Sequence, residues 1–329
     1  MSKLVTIFGG SGFVGRYIVR RMAQEGWRVR VAVRRPNEAL FVKSNGAVGQ
    51  VEPVFCNIRD DRLVRDALQG ADAVVNCVGT FDVGGKNSFE AVQLKGAERI
   101  ARIAAELDIA MMVHLSAIGA DEEGGSAYAQ SKSAGEAAIL AHMPEAMILR
   151  PSVIFGPEDQ FFNRFAAMSK FGPILPIAGA ASRFQPVYVD DVAQAAVRGI
   201  LGQYPGGIYE LGGPDVASLG DLMGQMLAVI QRRRLVLNLP FFAARLLALG
   251  FDGAQALSLG LFHNGILTRD QVKQLATDNV VSAAAKGFAD LGIEPTPMAS
   301  VLPDYLWRYR PSGQYAEIKA SAGNLRADG

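Results

Sequence analysis

The segment Leu4-Val5-Thr6-Ile7-Phe8 runs directly into Gly9-Gly10-Ser11-Gly12-Phe13-Val14-Gly15, and no other junction constrains the fold of this chain so strongly. A short β-branched apolar run fits a buried parallel strand, and Val14, Ile18 and Met22 recur every four residues, as on a helix packed against that strand. The glycines therefore occupy a strand-to-helix turn. Glycine there permits a tight turn, lets the backbone approach a pyrophosphate and lets the helix pack close, while the first free N–H groups of the helix face the anion. With a strand before and a helix after, Gly9, Ser11, Gly12, Phe13, Val14 and Gly15 form a candidate dinucleotide loop.

Strand-like and helix-like patterns go on alternating past the loop. Apolar runs at 28–33, 51–56, 73–77, 111–115 and 146–150 read as further strands, with helices at 89–107 and 127–142 between the later ones. Short turns in a βαβ alternation predict an α/β fold: a Rossmann-type doubly wound parallel sheet, whose ligands sit at the carboxyl ends of its strands. After Pro151 the regularity weakens, which predicts a smaller C-terminal α/β extension. The expected division is a nucleotide-binding domain over 1–155 with its sheet continued by later segments, a smaller domain over 156–310, and a tail over 311–329.

Composition removes several classes of function. Lys plus Arg total 33 against 32 for Asp plus Glu, so the chain has no field to attract nucleic acid. Two cysteines, Cys56 and Cys77, both in apolar runs, are too few for a four-cysteine cluster or a disulfide framework. His114, His142 and His263 are scattered, and no metal site is expected. The first strand starts within a few residues of Met1, and no leader is expected. The apolar stretch 236–261 is broken by Asn238, Pro240, Arg245 and Asp252 and is not expected to span a bilayer.

Two further features carry chemistry. An acid about 20 residues beyond the glycines would hold the ribose 2′-hydroxyl of NAD, but Arg34 and Arg35 stand there instead, which points to the 2′-phosphate of NADP. Tyr128 and Lys132 lie four apart on a predicted helix and share a face. A lysine beside a phenol is expected to lower its pKa, and Ser116, at the end of the fifth strand, would polarise a carbonyl.

Together, the glycine loop, Tyr128 to Lys132, Arg150-Pro151 and the run Val187-Tyr188-Val189-Asp190-Asp191-Val192 resemble the extended and atypical short-chain dehydrogenase/reductase superfamily. More narrowly, four stretches are similar to the nucleotide-binding accessory subunit of respiratory complex I. They are Arg150 to Asp159, Tyr209 to Pro214, Leu267 to Val272 with Thr277 to Val281, and Tyr305 to Arg310. The resemblance implies a tightly held NADPH and extends the expected nucleotide contacts to Asn57, Ile58, Val78, Gly79, Ser116, Tyr128, Lys132 and Pro151. It also implies a place on the peripheral arm near the membrane and quinone region, at the cytoplasmic face of a bacterial inner membrane or the matrix side in a mitochondrion. Partners would be other complex I subunits. Where active superfamily members carry consecutive hydroxyl residues, this chain has Ser116-Ala117-Ile118, so Ser116, Tyr128 and Lys132 are expected to be vestigial and the subunit non-catalytic. The competing expectation is a free-standing NADP-dependent reductase or epimerase acting on a sugar nucleotide, an isoprenoid or a quinone-like substrate. In 232–263, Arg232-Arg233-Arg234 precedes Phe241, Phe242, Leu246, Leu247 and Leu249: the apolar helix is expected either to be buried within the small domain or to dock on a membrane-embedded partner or lipid, with the arginines toward anionic headgroups.

Overall fold

The computed structural model describes residues 2–80, 85–243, 246, 249 and 269–315. The chain forms two compact units. The first comprises Met1–Ser152, Val189–Gly212 and Val281–Pro295. Its strands are β1 (Leu4–Phe8), β2 (Arg28–Val33), β3 (Val51–Phe55), β4 (Ala73–Asn76), β5 (Met111–Leu115), β6 (Met147–Pro151) and the later segment Gly207–Leu211. They lie in the order Gly207–Leu211, β6, β5, β4, β1, β2, β3, and every neighbouring pair is parallel. The chain thus winds outward in both directions from β1, the Rossmann arrangement, with its topological switch point between β1 and β4.

The helices α1 (Phe13–Gln24), α2 (Asp61–Leu68), α3 (Lys95–Glu106) and α4 (Ala127–His142) connect the strands. Their starts follow from side chains in the turns: Asp60 accepts from the backbone N–H of Arg62 and Leu63 at α2, and Ser126 accepts from that of Ala129 at α4. All five residues of β1 are buried, and Phe8, Val74, Ile100, Ile103, Met112, Ile139 and Ile148 fill one layer of the core. The helix expected over 89–107 begins instead as a π-helical run, Glu90–Leu94, before α3. That widened segment carries the buried Gln93, whose amide donates to the Thr80 carbonyl at 2.6 Å and accepts from the Ser131 hydroxyl at 2.9 Å. Here α4 crosses so closely that a Cβ on Gly135 would overlap the Gln93 carbonyl oxygen.

The expected domain over 156–310 is interrupted twice. Gly207–Leu211 adds to the sheet beside β6, which brings 189–212 into the first unit. Residues 281–295 join it too, through the Glu210 carboxylate, which accepts from the Ser282 N–H at 2.7 Å, and the Glu210 N–H, which donates to the Lys286 carbonyl at 2.8 Å. The second unit comprises Val153–Tyr188, Gly213–Val280 and Thr296–Gly329. Its described part holds three two-stranded ladders and a core of Phe155, Phe162, Leu175, Leu222, Met226, Leu302 and neighbours. The expected features at Arg245, Leu247, His263 and Thr268, and the tail beyond 315, lie outside the described residues.

Candidate nucleotide site

Because the sheet is parallel, the carboxyl ends of its strands share one edge, and the expected site residues emerge there. Gly9 follows β1, Arg34 follows β2, Asn57 follows β3, Val78 follows β4, Ser116 follows β5, and Pro151 closes β6. Gly9 has φ +76°, and a Cβ there would press on the Cys77 carbonyl carbon at 3.2 Å and Val78 Cγ2 at 3.3 Å. A Cβ on Gly15 would lie 2.7 Å from Gly10 Cα and closer still to the Gly9 oxygen. The loop and α1 therefore touch backbone to backbone. Gly12 caps α1 with no side-chain hydrogen bond, its own N–H donates to the Gly9 carbonyl at 2.9 Å, and the first turn of the helix holds no acid.

Arg16, which the sequence reading passed over, braces this loop. Its guanidinium donates to the Gly12 carbonyl at 3.2 Å and the Ser11 carbonyl at 3.3 Å and lies over the Phe41 ring, 5.0 Å from its centroid. At the next strand end the two arginines separate. Arg35 pairs with Glu38 at 3.1 Å, an exposed pair of little energetic weight, whereas Arg34 donates to Asn87 Oδ1 at 3.1 Å. Asn57 turns its Oδ1 to the backbone N–H and Nε of Arg59, both at 3.2 Å, while Ile58 packs against Gly96, where a Cβ would meet Ile58 Cδ1 at 2.7 Å.

The structure brings Lys132 to Tyr128 and Gly79 but diverts Ser116. Lys132, buried, donates from Nζ to the Leu115 carbonyl at 3.0 Å; the same Nζ is 5.9 Å from the Tyr128 ring centroid and 3.9 Å from where a Gly79 Cβ would be. Burial pulls this ammonium down to about 8, against Glu136 and Cys77, which favour the charge. The Tyr128 phenol is pushed up to about 12 by burial, contrary to the expected lowering: desolvation of the phenolate is its governing influence. Ser116 donates its hydroxyl to Glu136 Oε1, and Arg150 grips the same carboxylate from Nε at 3.0 Å and Nη2 at 2.6 Å. The Ser116 proton is therefore committed to a buried carboxylate rather than offered to a carbonyl. Glu136 is four residues past Lys132 on α4, a spacing that places it on the lysine's face, though only the fold brings Arg150 to it.

Sheet order, glycine loop and the tyrosine–lysine pair define the class: a Rossmann-fold protein of the short-chain dehydrogenase/reductase type. Residues 5–212 match the NAD dependent epimerase/dehydratase family. Over 316 residues the chain is 34% identical to NADH dehydrogenase (ubiquinone) 1 alpha subcomplex subunit 9, mitochondrial, of Arabidopsis thaliana, covering 94% of this chain and 79% of that one. It is 30% identical to the NADH-ubiquinone oxidoreductase 40 kDa subunit, mitochondrial, of Neurospora crassa, covering 98% of this chain and 84% of the relative. The fold matches that of the Bordetella bronchiseptica enzyme WbmH in complex with NAD+, with a TM-score of 0.68 at 18% identity over 95% of this chain and 100% of the other. The chain belongs to the NAD dependent epimerase/dehydratase family and, within it, to the branch of these complex I subunits.

Proposed function

We propose that the chain is an NADPH-holding, non-catalytic accessory subunit of an NADH:ubiquinone oxidoreductase, seated at the peripheral arm near the membrane. One observation carries the non-catalytic half of this reading: the phosphate loop is built to bind, while the catalytic hydroxyl is consumed by the Glu136–Arg150 pair. The loop N–H groups would hold the pyrophosphate, Arg34 the 2′-phosphate, and Tyr128 with Lys132 the nicotinamide ribose. When bound, the nucleotide supplies a hydride-carrying ring; the chain's own residues supply grip and exclusion of water. A dianionic phosphate on the ribose suits Arg34, which has donors and no acceptor for a free hydroxyl. The complex I assignment is supported by the relatives named above. Among the described residues no helix is long and apolar enough to cross a membrane.

The deciding experiment isolates the protein from its native membranes and asks whether it co-migrates with a large NADH-oxidising assembly carrying NADPH. Tyr128→Phe is expected to leave the quinone reduction of that assembly unchanged. A free protein that reduces a carbonyl with NADPH, and loses this with Tyr128→Phe, would overturn the reading.

A further inference from the structure

Two arginines from neighbouring strand ends converge on one short turn, and neither has a carboxylate partner among the described residues. Arg34, after β2, donates from Nη1 to Asn87 Oδ1 at 3.1 Å; Arg59, after β3, donates from Nη1 to the Lys86 carbonyl at 2.7 Å. Asn87 and Lys86 are adjacent in the turn Gly85–Asn87, which follows β4. Arg59 is also held by Asn57 Oδ1 at 3.2 Å, so its guanidinium is fixed at both ends by neutral acceptors. Lys86 adds a third exposed cation on the turn itself. The exposed arginines nearest along the chain and on the neighbouring helix do find carboxylates: Arg62 pairs with Asp66, Arg65 with Glu106, and Arg99 and Arg102 with Asp61. Gathering like charges around a turn that supplies only amide and carbonyl acceptors is unfavourable unless an anion joins them.

We propose that Arg59 and the turn Gly85–Asn87 complete the 2′-phosphate site begun by Arg34, with Arg59 a specificity-determining residue and Asn87 the residue that aims Arg34. The ligand chemistry follows from the place. The cluster stands at the ends of β2 and β3, on the edge that carries the dinucleotide loop, and β2 and β3 are adjacent there through Val33 and Phe55. The adenosine ribose of a dinucleotide bound at the glycine loop falls at the end of β2, and a phosphomonoester there carries close to two negative charges to meet the cations. Arg35 points to Glu38 across an exposed pair, whereas Arg59 ends on neutral acceptors beside Arg34, so the second guanidinium of the site is assigned to Arg59. Part of the phosphate's grip is then stored 25 residues further along the chain than sequence spacing suggests.

This inference rests on the NADPH reading, and titration calorimetry on the full chain separates their failures. The probes are NADPH and NADH, each with wild type, Arg59→Gln and Arg59→Lys. Loss of one charge-assisted hydrogen bond is expected to weaken NADPH about tenfold or more in Arg59→Gln, with NADH affinity unmoved and most of the NADPH affinity restored in Arg59→Lys. Asn87→Ala is expected to act in the same direction, more weakly, because Arg34 keeps its charge. Equal affinities of the wild type for NADPH and NADH would overturn both the cofactor reading and this inference. A wild type that prefers NADPH, with the preference intact in Arg59→Gln, would overturn this inference alone, as would an Arg59→Gln that weakens both nucleotides equally.

Discussion

His114 lies buried in β5, its ring hydrogen-bonded to the Asn76 backbone and its Nδ1 without a partner among the described residues. Burial, helped by the Lys132 charge, pulls its pKa down to about 3. Since the folded value is depressed, its contribution to stability is present above the unfolded pKa and is lost as pH falls toward 3: in that window the unfolded chain binds the extra proton. Between about pH 7 and about pH 5 this one residue is expected to remove about 2 kcal/mol from the folded state, and urea titrations of His114→Leu at both pH values should lack that difference. The Glu136 network gives a second residue-scale prediction. Ser116→Ala removes one donor and is expected to cost about 1 kcal/mol with nucleotide binding intact. Glu136→Ala leaves Arg150, whose side chain is only 19% exposed, with the more distant Glu210 carboxylate at 3.8 Å, and is expected to cost about 3 kcal/mol in the same titration.

At the scale of the element, α1 and its loop are held together by absent side chains. Gly15→Ala would place a methyl into Gly10 and the Gly9 carbonyl, pushing the helix off the loop. The expected result is a stability loss of about 1–3 kcal/mol together with loss of nucleotide binding, read by melting temperature and calorimetry. Gly26, past the other end of α1, has φ +78° and open space around it. Gly26→Ala is expected to cost about 1–2 kcal/mol through backbone strain alone, with nucleotide affinity retained. The two variants thus divide strain from geometry on one helix.

At the scale of the whole molecule, several residues of the motifs that carry the narrow resemblance join segments within the second unit. Tyr305 donates to the buried Asp159 carboxylate at 2.6 Å, which also accepts backbone N–H groups of Gly156, Phe161 and Asn163, while Arg308 donates to Asn163 Oδ1 at 2.6 Å. Asn279 Oδ1 accepts from the Val153 N–H at 3.1 Å. The second unit also presents apolar side chains to solvent: Leu235 is 64% exposed, Phe242 75% and Leu246 70%, a density suited to a partner or a bilayer. The arginines beside them do not all face outward as expected. Arg232 donates to the Tyr309 carbonyl and Arg234 to the Ser169 carbonyl, both at 2.8 Å, just before the strand Leu235–Leu239 begins. Phe242→Ser with Leu246→Ser is therefore expected to release the protein from membranes or its assembly at unchanged melting temperature, as judged by sedimentation with membranes. Arg232→Gln with Arg234→Gln is expected to lower the melting temperature itself.

What the sequence determined by itself is what repeats locally. β1, β2, β5 and α4 fall on the residues their apolar periods and turn residues indicate, and the glycine loop announces a dinucleotide site because glycine alone tolerates the backbone contacts made there. Strand ends elsewhere differ by a residue, since the last ladder bond depends on the neighbouring strand. What only the tertiary structure decided is partnership. Ser116 meets Glu136 from 20 residues away, Arg34 meets Asn87 from 53 and Tyr305 meets Asp159 from 146, and no period within a segment encodes such a meeting. The same holds for the assignment of 189–212 and 281–295 to the first unit. A strand's pattern shows that it must be buried, but which sheet edge receives it is settled by the backbone hydrogen bonds and packing that the whole fold supplies.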